Sequence, residues 1–215
     1  MTKKTLFLIP LLLGAVGGAQ AEDVFLFTLN TSTIDTDSGS LDFSLSPGAG
    51  SDQSLTATVY DFTTDTGSYA GFQELDGNAS GGPVTSGTTV VLGPVPNAFG
   101  LNDDFETFNY GNTLSFLVDI SGPALTAPDG RATSGYEFDF ETFSDVNGTV
   151  PVLTDDPNGI SGSIDVSPEG IVTYNDVSSV IGIAPVPEPA SVWLFAGAVG
   201  AAFLFRRRIG ALSSR

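Results

Sequence analysis

Tyr136-Glu137-Phe138-Asp139-Phe140-Glu141 is the stretch that decides the fold class. Aromatic residues and carboxylates alternate strictly through it. Only an extended strand collects every ring on one side and every carboxylate on the other, because a helical period would scatter both sets around its circumference. The same pattern recurs on either side. Leu114, Phe116, Val118 and Ile120 alternate with polar Ser115 and Asp119, with Leu117 as one apolar residue on the outer side. Leu41, Phe43 and Leu45 alternate with Asp42 and Ser44. Further strands are expected at 24–29, 55–62, 69–75, 88–92, 105–110, 160–166 and 171–174, separated by Gly, Pro, Asn and Asp turn residues. Short half-buried strands without a long helical segment predict an all-β chain folded as an antiparallel β-sandwich of jelly-roll type. A β-solenoid is the alternative architecture, disfavoured by the lack of a fixed-period repeat. The 16 Phe, mostly inside these strands, supply apolar area for one core without disulfides.

Composition removes much of the usual catalytic repertoire. The 215 residues include 25 acidic and 7 basic side chains, no His and no Cys. Thiol nucleophiles, histidine bases, zinc sites and disulfide frameworks therefore have no side chains to work with. A formal net charge of -18 repels phosphate backbones, so nucleic acid is not an expected partner. No nucleophile elbow, phosphate-binding loop or dinucleotide fingerprint is present. The basic residues sit at the two ends: Lys3 and Lys4 in front, Arg206, Arg207, Arg208 and Arg215 behind, with Arg131 alone between them. An acidic body flanked by basic, apolar ends reads as membrane targeting at both termini.

At the front, Lys3 and Lys4 precede an apolar run over 6–16, broken by Pro10 and Gly14, and then Ala19-Gln20-Ala21. This is the pattern of a secretory signal peptide over 1–21, with Ala19 and Ala21 read by signal peptidase and cleavage before Glu22. A core helix or lasting anchor would need a longer run. At the back, Pro187-Glu188-Pro189 precedes an uncharged run over 190–205 and then Arg206-Arg207-Arg208. As a helix that run covers roughly 24 Å against a hydrocarbon core of roughly 30 Å, a short span that Trp193 and snorkelling arginines make workable. The arginines belong on the cytoplasmic side, which leaves the body across the membrane. The prolines keep the chain before the span extended and unable to join a sheet, a shape a processing enzyme can grip.

Pro-Glu-Pro, a short apolar helix and an arginine cluster, in that order behind an exported body, resemble the PEP-CTERM sorting signal. The resemblance covers about the last thirty residues. It implies an exosortase of Gram-negative bacteria as partner, with Pro187, Glu188 and Pro189 as the recognition element, 190–205 as a temporary membrane anchor and Arg206, Arg207 and Arg208 as the stop signal. The seven residues 209–215 beyond the arginines make a longer tail than the family often carries. An ordinary C-terminal anchor is the plainer alternative. The organisation expected is thus a signal peptide (1–21), an acidic β-sandwich (22–184), a proline linker with the sorting motif (185–189), a transmembrane helix (190–205) and a basic cytoplasmic tail (206–215).

Candidate sites within the body are carboxylate-based. Asp35-Thr36-Asp37-Ser38-Gly39 and Asp155-Asp156-Pro157-Asn158-Gly159 each place two carboxylates near a glycine, oxygen ligands of the kind Ca²⁺ takes, with Asp35, Asp37, Asp155 and Asp156 as ligands. Neither is a full EF-hand loop, and Asx-Gly turns have the same appearance. Glu137, Asp139 and Glu141 form a ladder along one strand face, and Asp103, Asp104 and Glu106 a second acidic cluster. Paired carboxylates serve glycosidases, but a solvated strand face is the simpler expectation. Three sequons begin at Asn30, Asn78 and Asn147, a pattern common by accident in a Ser/Thr-rich chain. The expected function is a non-catalytic, exported structural or adhesive protein of the cell surface or exopolysaccharide matrix, anchored in the inner membrane before exosortase processing. The alternative is a carbohydrate-binding module or glycoside-active enzyme at the same location, stacking sugars on Tyr or Phe.

Overall fold

The computed structural model describes residues 23–50, 52–96 and 100–187. The expected signal peptide with Ala19 and Ala21, and everything from Glu188 onward, including Pro189, the 190–205 segment and Arg206, Arg207 and Arg208, lie outside the described residues. Among the described residues no helix is long and apolar enough to cross a membrane.

The strands are β1 (Asp23–Asn30), β2 (Ser38–Ser46), β3 (Leu55–Thr64), β4 (Ser68–Asp76), β5 (Ser80–Gly81), β6 (Val90–Val95), β7 (Asn102–Asn109), β8 (Thr113–Ser121), β9 (Tyr136–Phe143), β10 (Ile160–Val166), β11 (Val172–Asp176) and β12 (Ile181–Pro185). One helical turn, α1 (Pro123–Thr126), follows β8. The pairing is nested and antiparallel: β1 with β8, β2 with β7, β3 with β6. That nesting rolls the chain up as one long folded hairpin, the jelly-roll arrangement. Each half is then widened, giving two six-stranded sheets in the orders β12-β1-β8-β3-β6-β5 and β11-β10-β9-β2-β7-β4. The all-β sandwich read from alternation is therefore the fold. Every strand expected from alternation is present. Ser80–Gly81 and Ile181–Pro185 escape that reading, the first because it is two residues long and the second because Gly182 and Pro185 interrupt Ile181 and Ile183.

The core is a knot of phenylalanines contributed by both sheets. Phe27 and Phe116, from β1 and β8, stack with centroids 5.0 Å apart, and Phe116 meets Phe43 at 5.3 Å and Phe140 at 4.9 Å across the interface, edge to face. Such pairs contribute about 0.5–1.5 kcal/mol each beyond the apolar area they bury. In β3 the alternation slips between Tyr60 and Thr63, with Asp61 at φ 52°, and this bulge turns Phe62 into the core against Phe108. Gly39, in the first of the expected calcium loops, is not a turn residue but the second residue of β2. A side chain there would run into the Phe143 carbonyl and lie 2.8 Å from the Tyr110 ring.

The two outer faces differ in chemistry. On the first sheet Thr28, Ser115 and Thr63 lie in one row, Leu26, Leu117 and Tyr60 in the next, and Val24, Asp119 and Thr58 in the one after, a largely neutral surface with Asp119 as the acid in these rows. The second sheet carries the dense set of acids.

Candidate functional site

The outer face of the second sheet is a lattice of carboxylates assembled from five strands. Strand register sets its rows. Asp165 of β10 pairs with Glu137 of β9. In the next row Asp139 of β9 pairs with Ser44 of β2, which pairs with Asp103 of β7, which pairs with Asp76 of β4. In the row after that Glu141 pairs with Asp42, Asp42 with Phe105 and Phe105 with Glu74. Cross-strand neighbours stand about 5 Å apart and diagonal ones about 7–8 Å, so each carboxylate faces several others. Arg131 is the only basic residue from 23 to 187. It is engaged elsewhere, 3.5 Å from Asp52 and 3.7 Å from Asp129.

Burial and mutual repulsion make this lattice hold protons. Asp139 is only 7% exposed, against the solvated face expected from sequence. Burial first, then the charges of Glu137, Glu141, Asp165 and Asp156, push its carboxyl up to about 7. Glu141 rises to about 7 through burial and then Asp103 and Asp156. Asp42 rises to about 10, through burial first and then the charge of Asp103 and a hydrogen bond with it. Glu137 and Asp103 are raised as well, burial again leading. The Oδ1 atoms of Asp139 and Asp42 are buried without a hydrogen-bond partner.

The connection from β9 to β10 folds back over part of this face. Ser144 and Val152 continue β9 as an arm, with Ser144 N donating to Val150 O and Val152 N to Thr142 O. Ser40 Oγ ties the arm down by donating to Asp145 O at 2.8 Å. Asp145 in turn accepts from the Thr149 hydroxyl at 2.8 Å and from the backbone N–H of Thr149 and Val150, which fixes the tip and holds its carboxyl below the usual range. Between arm and sheet lies a cavity of about 360 Å³ lined by Phe72, Glu74, Asp76, Asp103, Phe105, Val146 and Asn147. Phe72 is 49% exposed and meets Phe105 edge to face at 6.4 Å.

The second acidic cluster is divided by the pleat. Asp103 points outward, whereas Asp104 and Glu106 point between the sheets and are fully buried. Sequence reasoning takes the three together because inward carboxylates break the usual alternation. Their shelter is built from β4 and the β5 to β6 connection: Val84 N donates to both Glu106 oxygens at 2.8 and 3.0 Å, and Gln73 Nε2 of β4 donates to Asp104 Oδ1 at 2.8 Å and Glu106 Oε1 at 3.1 Å. Burial, and then the charge of Asp104, raise Glu106 to about 8, while Asp104 rises to about 6 through burial offset by Gln73. One proton held between the two satisfies the geometry.

The expected calcium loops are placed separately. Asp35 and Asp37 lie between the 3₁₀ turn Ser32–Ile34 and β2, where Thr36 N donates to Tyr110 O and Tyr110 N to Asp37 O. Asp155 and Asp156 lie before β10, and Asp156 Oδ1 accepts from Asn158 N at 2.8 Å, an Asx turn. Asp156 also faces Asp139 and Glu141. Among the described residues no group of three or more acidic side chains converges as a metal-holding set. Of the sequon asparagines, Asn30 accepts from Ser32 N and Oγ, and Asn78 Nδ2 donates to Pro94 O.

The chain leaves the sandwich at an edge. β12 pairs with β1 as far as Phe25 opposite Pro185, and Val186 N donates to Val24 O at 2.7 Å. Pro187 follows, exposed. At this point the family model of the PEP-CTERM protein-sorting motif begins, matching residues 185–208. No curated protein and no solved structure matches the chain. The chain carries a PEP-CTERM sorting domain and is, on that motif, an exported, membrane-transiting protein sorted by an exosortase.

Proposed function

We propose that the acidic sandwich is a non-catalytic structural or adhesive module, delivered to the cell surface or the exopolysaccharide-bearing matrix when an exosortase acts at Pro187-Glu188-Pro189. The observation that carries this reading is the junction. The sorting motif starts at residue 185, where β12 ends its pairing with β1, so the strand pairing of the sandwich is complete before Pro187-Glu188-Pro189. Signal peptidase at Ala19 and Ala21 frees the other end, 190–205 holds the precursor in the inner membrane, and Arg206, Arg207 and Arg208 keep it from passing through. A charged outer face protects such a module from edge and face aggregation in a crowded matrix. In the native host, wild-type protein is expected to be shortened and recovered from the surface fraction, and the Glu188→Ala variant to accumulate at full precursor length in the membrane. Normal shortening and release of Glu188→Ala would overturn the reading.

A further inference from the structure

We infer that the outer face of the second sheet binds an extended organic cation, a linear polyamine, lying across β9, β2, β7 and β4. Charge is the first ground: Asp139, Glu141, Asp42, Asp103, Asp76 and Glu74 share this face, and no Lys or Arg from 23 to 187 remains to answer them. The second ground is Asp139, whose side chain is almost wholly buried in the centre of the face and whose Oδ1 has no partner. Carboxylate oxygen left dry and unpaired costs free energy that a bound N–H donor returns.

The form of the cation follows from the layout. A calcium ion gathers six to eight oxygens around one point, and among the described residues no such convergence exists. The carboxylates are instead strung over three strand spacings, about 14 Å from β9 to β4. Ammonium groups separated by methylene linkers match that spread, each centre taking one or two carboxylates. Where the row reaches β7 and β4, Phe105 and the exposed Phe72 supply apolar rings to a cavity of about 360 Å³ that also holds Glu74, Asp76 and Asp103. Rings and acids side by side suit the methylenes and the charge of one alkylammonium end. A neutral sugar would leave the carboxylates' repulsion unrelieved. A cation relieves it and should draw protons off Asp139, Glu141 and Asp42 on binding.

The test is calorimetric titration of the full-length protein, in nonionic detergent and about 0.15 M salt, with spermine as the probe, in two buffers of different ionisation enthalpy at pH 7.5. Saturable binding with proton release is expected, weakened at least tenfold in Asp103→Asn/Asp139→Asn and several-fold in Phe72→Ala. Both variants are expected to fold, since the first removes like charges and the second trims an exposed ring. Absence of saturable binding overturns the inference. So does binding that survives the double variant, or that calcium chloride or a neutral oligosaccharide reproduces at the same site.

Discussion

Replacing Glu106 by Gln should flatten the dependence of stability on pH. Glu106 is fully buried, and its carboxyl is raised from the ordinary 4.5 to about 8 by burial and by Asp104. Below about pH 4.5 the folded and unfolded chains both hold this proton, so its stabilising contribution is complete. As pH rises toward 8 the unfolded chain releases the proton while the folded chain keeps it, and stability is lost until the folded carboxyl also ionises. At about 1.36 kcal/mol per pH unit the loss is on the order of 5 kcal/mol, an upper figure because Asp104 shares the proton. A glutamine amide mimics the protonated acid: its oxygen can accept from Val84 N, and its NH₂ can donate to Asp104. In urea unfolding followed by far-ultraviolet circular dichroism, Glu106→Gln and wild type should agree within about 1 kcal/mol at pH 5. At pH 8–9 the variant should be more stable by roughly 2–4 kcal/mol. Asp139, Glu141 and Asp42 slope both curves in the same direction, so the difference between them isolates Glu106. Parallel curves from pH 5 to 9 would refute the assignment of a buried shared proton.

Two further substitutions probe the packing that holds the lattice in place. Gly39→Ala drives a methyl into the Phe143 carbonyl and the Tyr110 ring, and should cost about 2 kcal/mol or more, read as a drop in melting temperature. Tyr110→Phe deletes the hydroxyl that donates to Ser40 O at 2.7 Å and Phe143 O at 3.1 Å, joining β2 to β9. Its loss should lower unfolding free energy by about 1–3 kcal/mol in urea titration, with the carbonyls left dry.

Strands whose one face is apolar were legible because period-two alternation is a local property. Tyr136 to Glu141 shows it in six consecutive residues. β7 was legible as a strand but not in its facing, since Asp104 and Glu106 occupy positions where Phe or Leu would mark the inside. The shelter that allows this, Val84 N and Gln73, comes from distant sequence and leaves no local trace. The lattice was visible only as the ladder Glu137, Asp139 and Glu141. Asp42, Asp103, Asp76 and Glu74 join it through strand order, which alternation does not specify. The covering arm was equally hidden, because Asp145, Asn147 and Gly148 look like any turn until Ser40 is seen holding it down. The sorting motif, by contrast, is read in order along the chain and needs no folding to be recognised, consistent with the match at 185–208.

The side-by-side placement of the first and last strands, with Phe25 opposite Pro185, brings the entrance and exit of the body to one corner. A unit with neighbouring ends is portable. It can be spliced into a surface loop of an unrelated host, or have its ends joined and be reopened elsewhere, with little disturbance to the Phe-packed interior. A single doorway also leaves the acid-studded side and the largely uncharged side as two independent walls, each free to take its own neighbour.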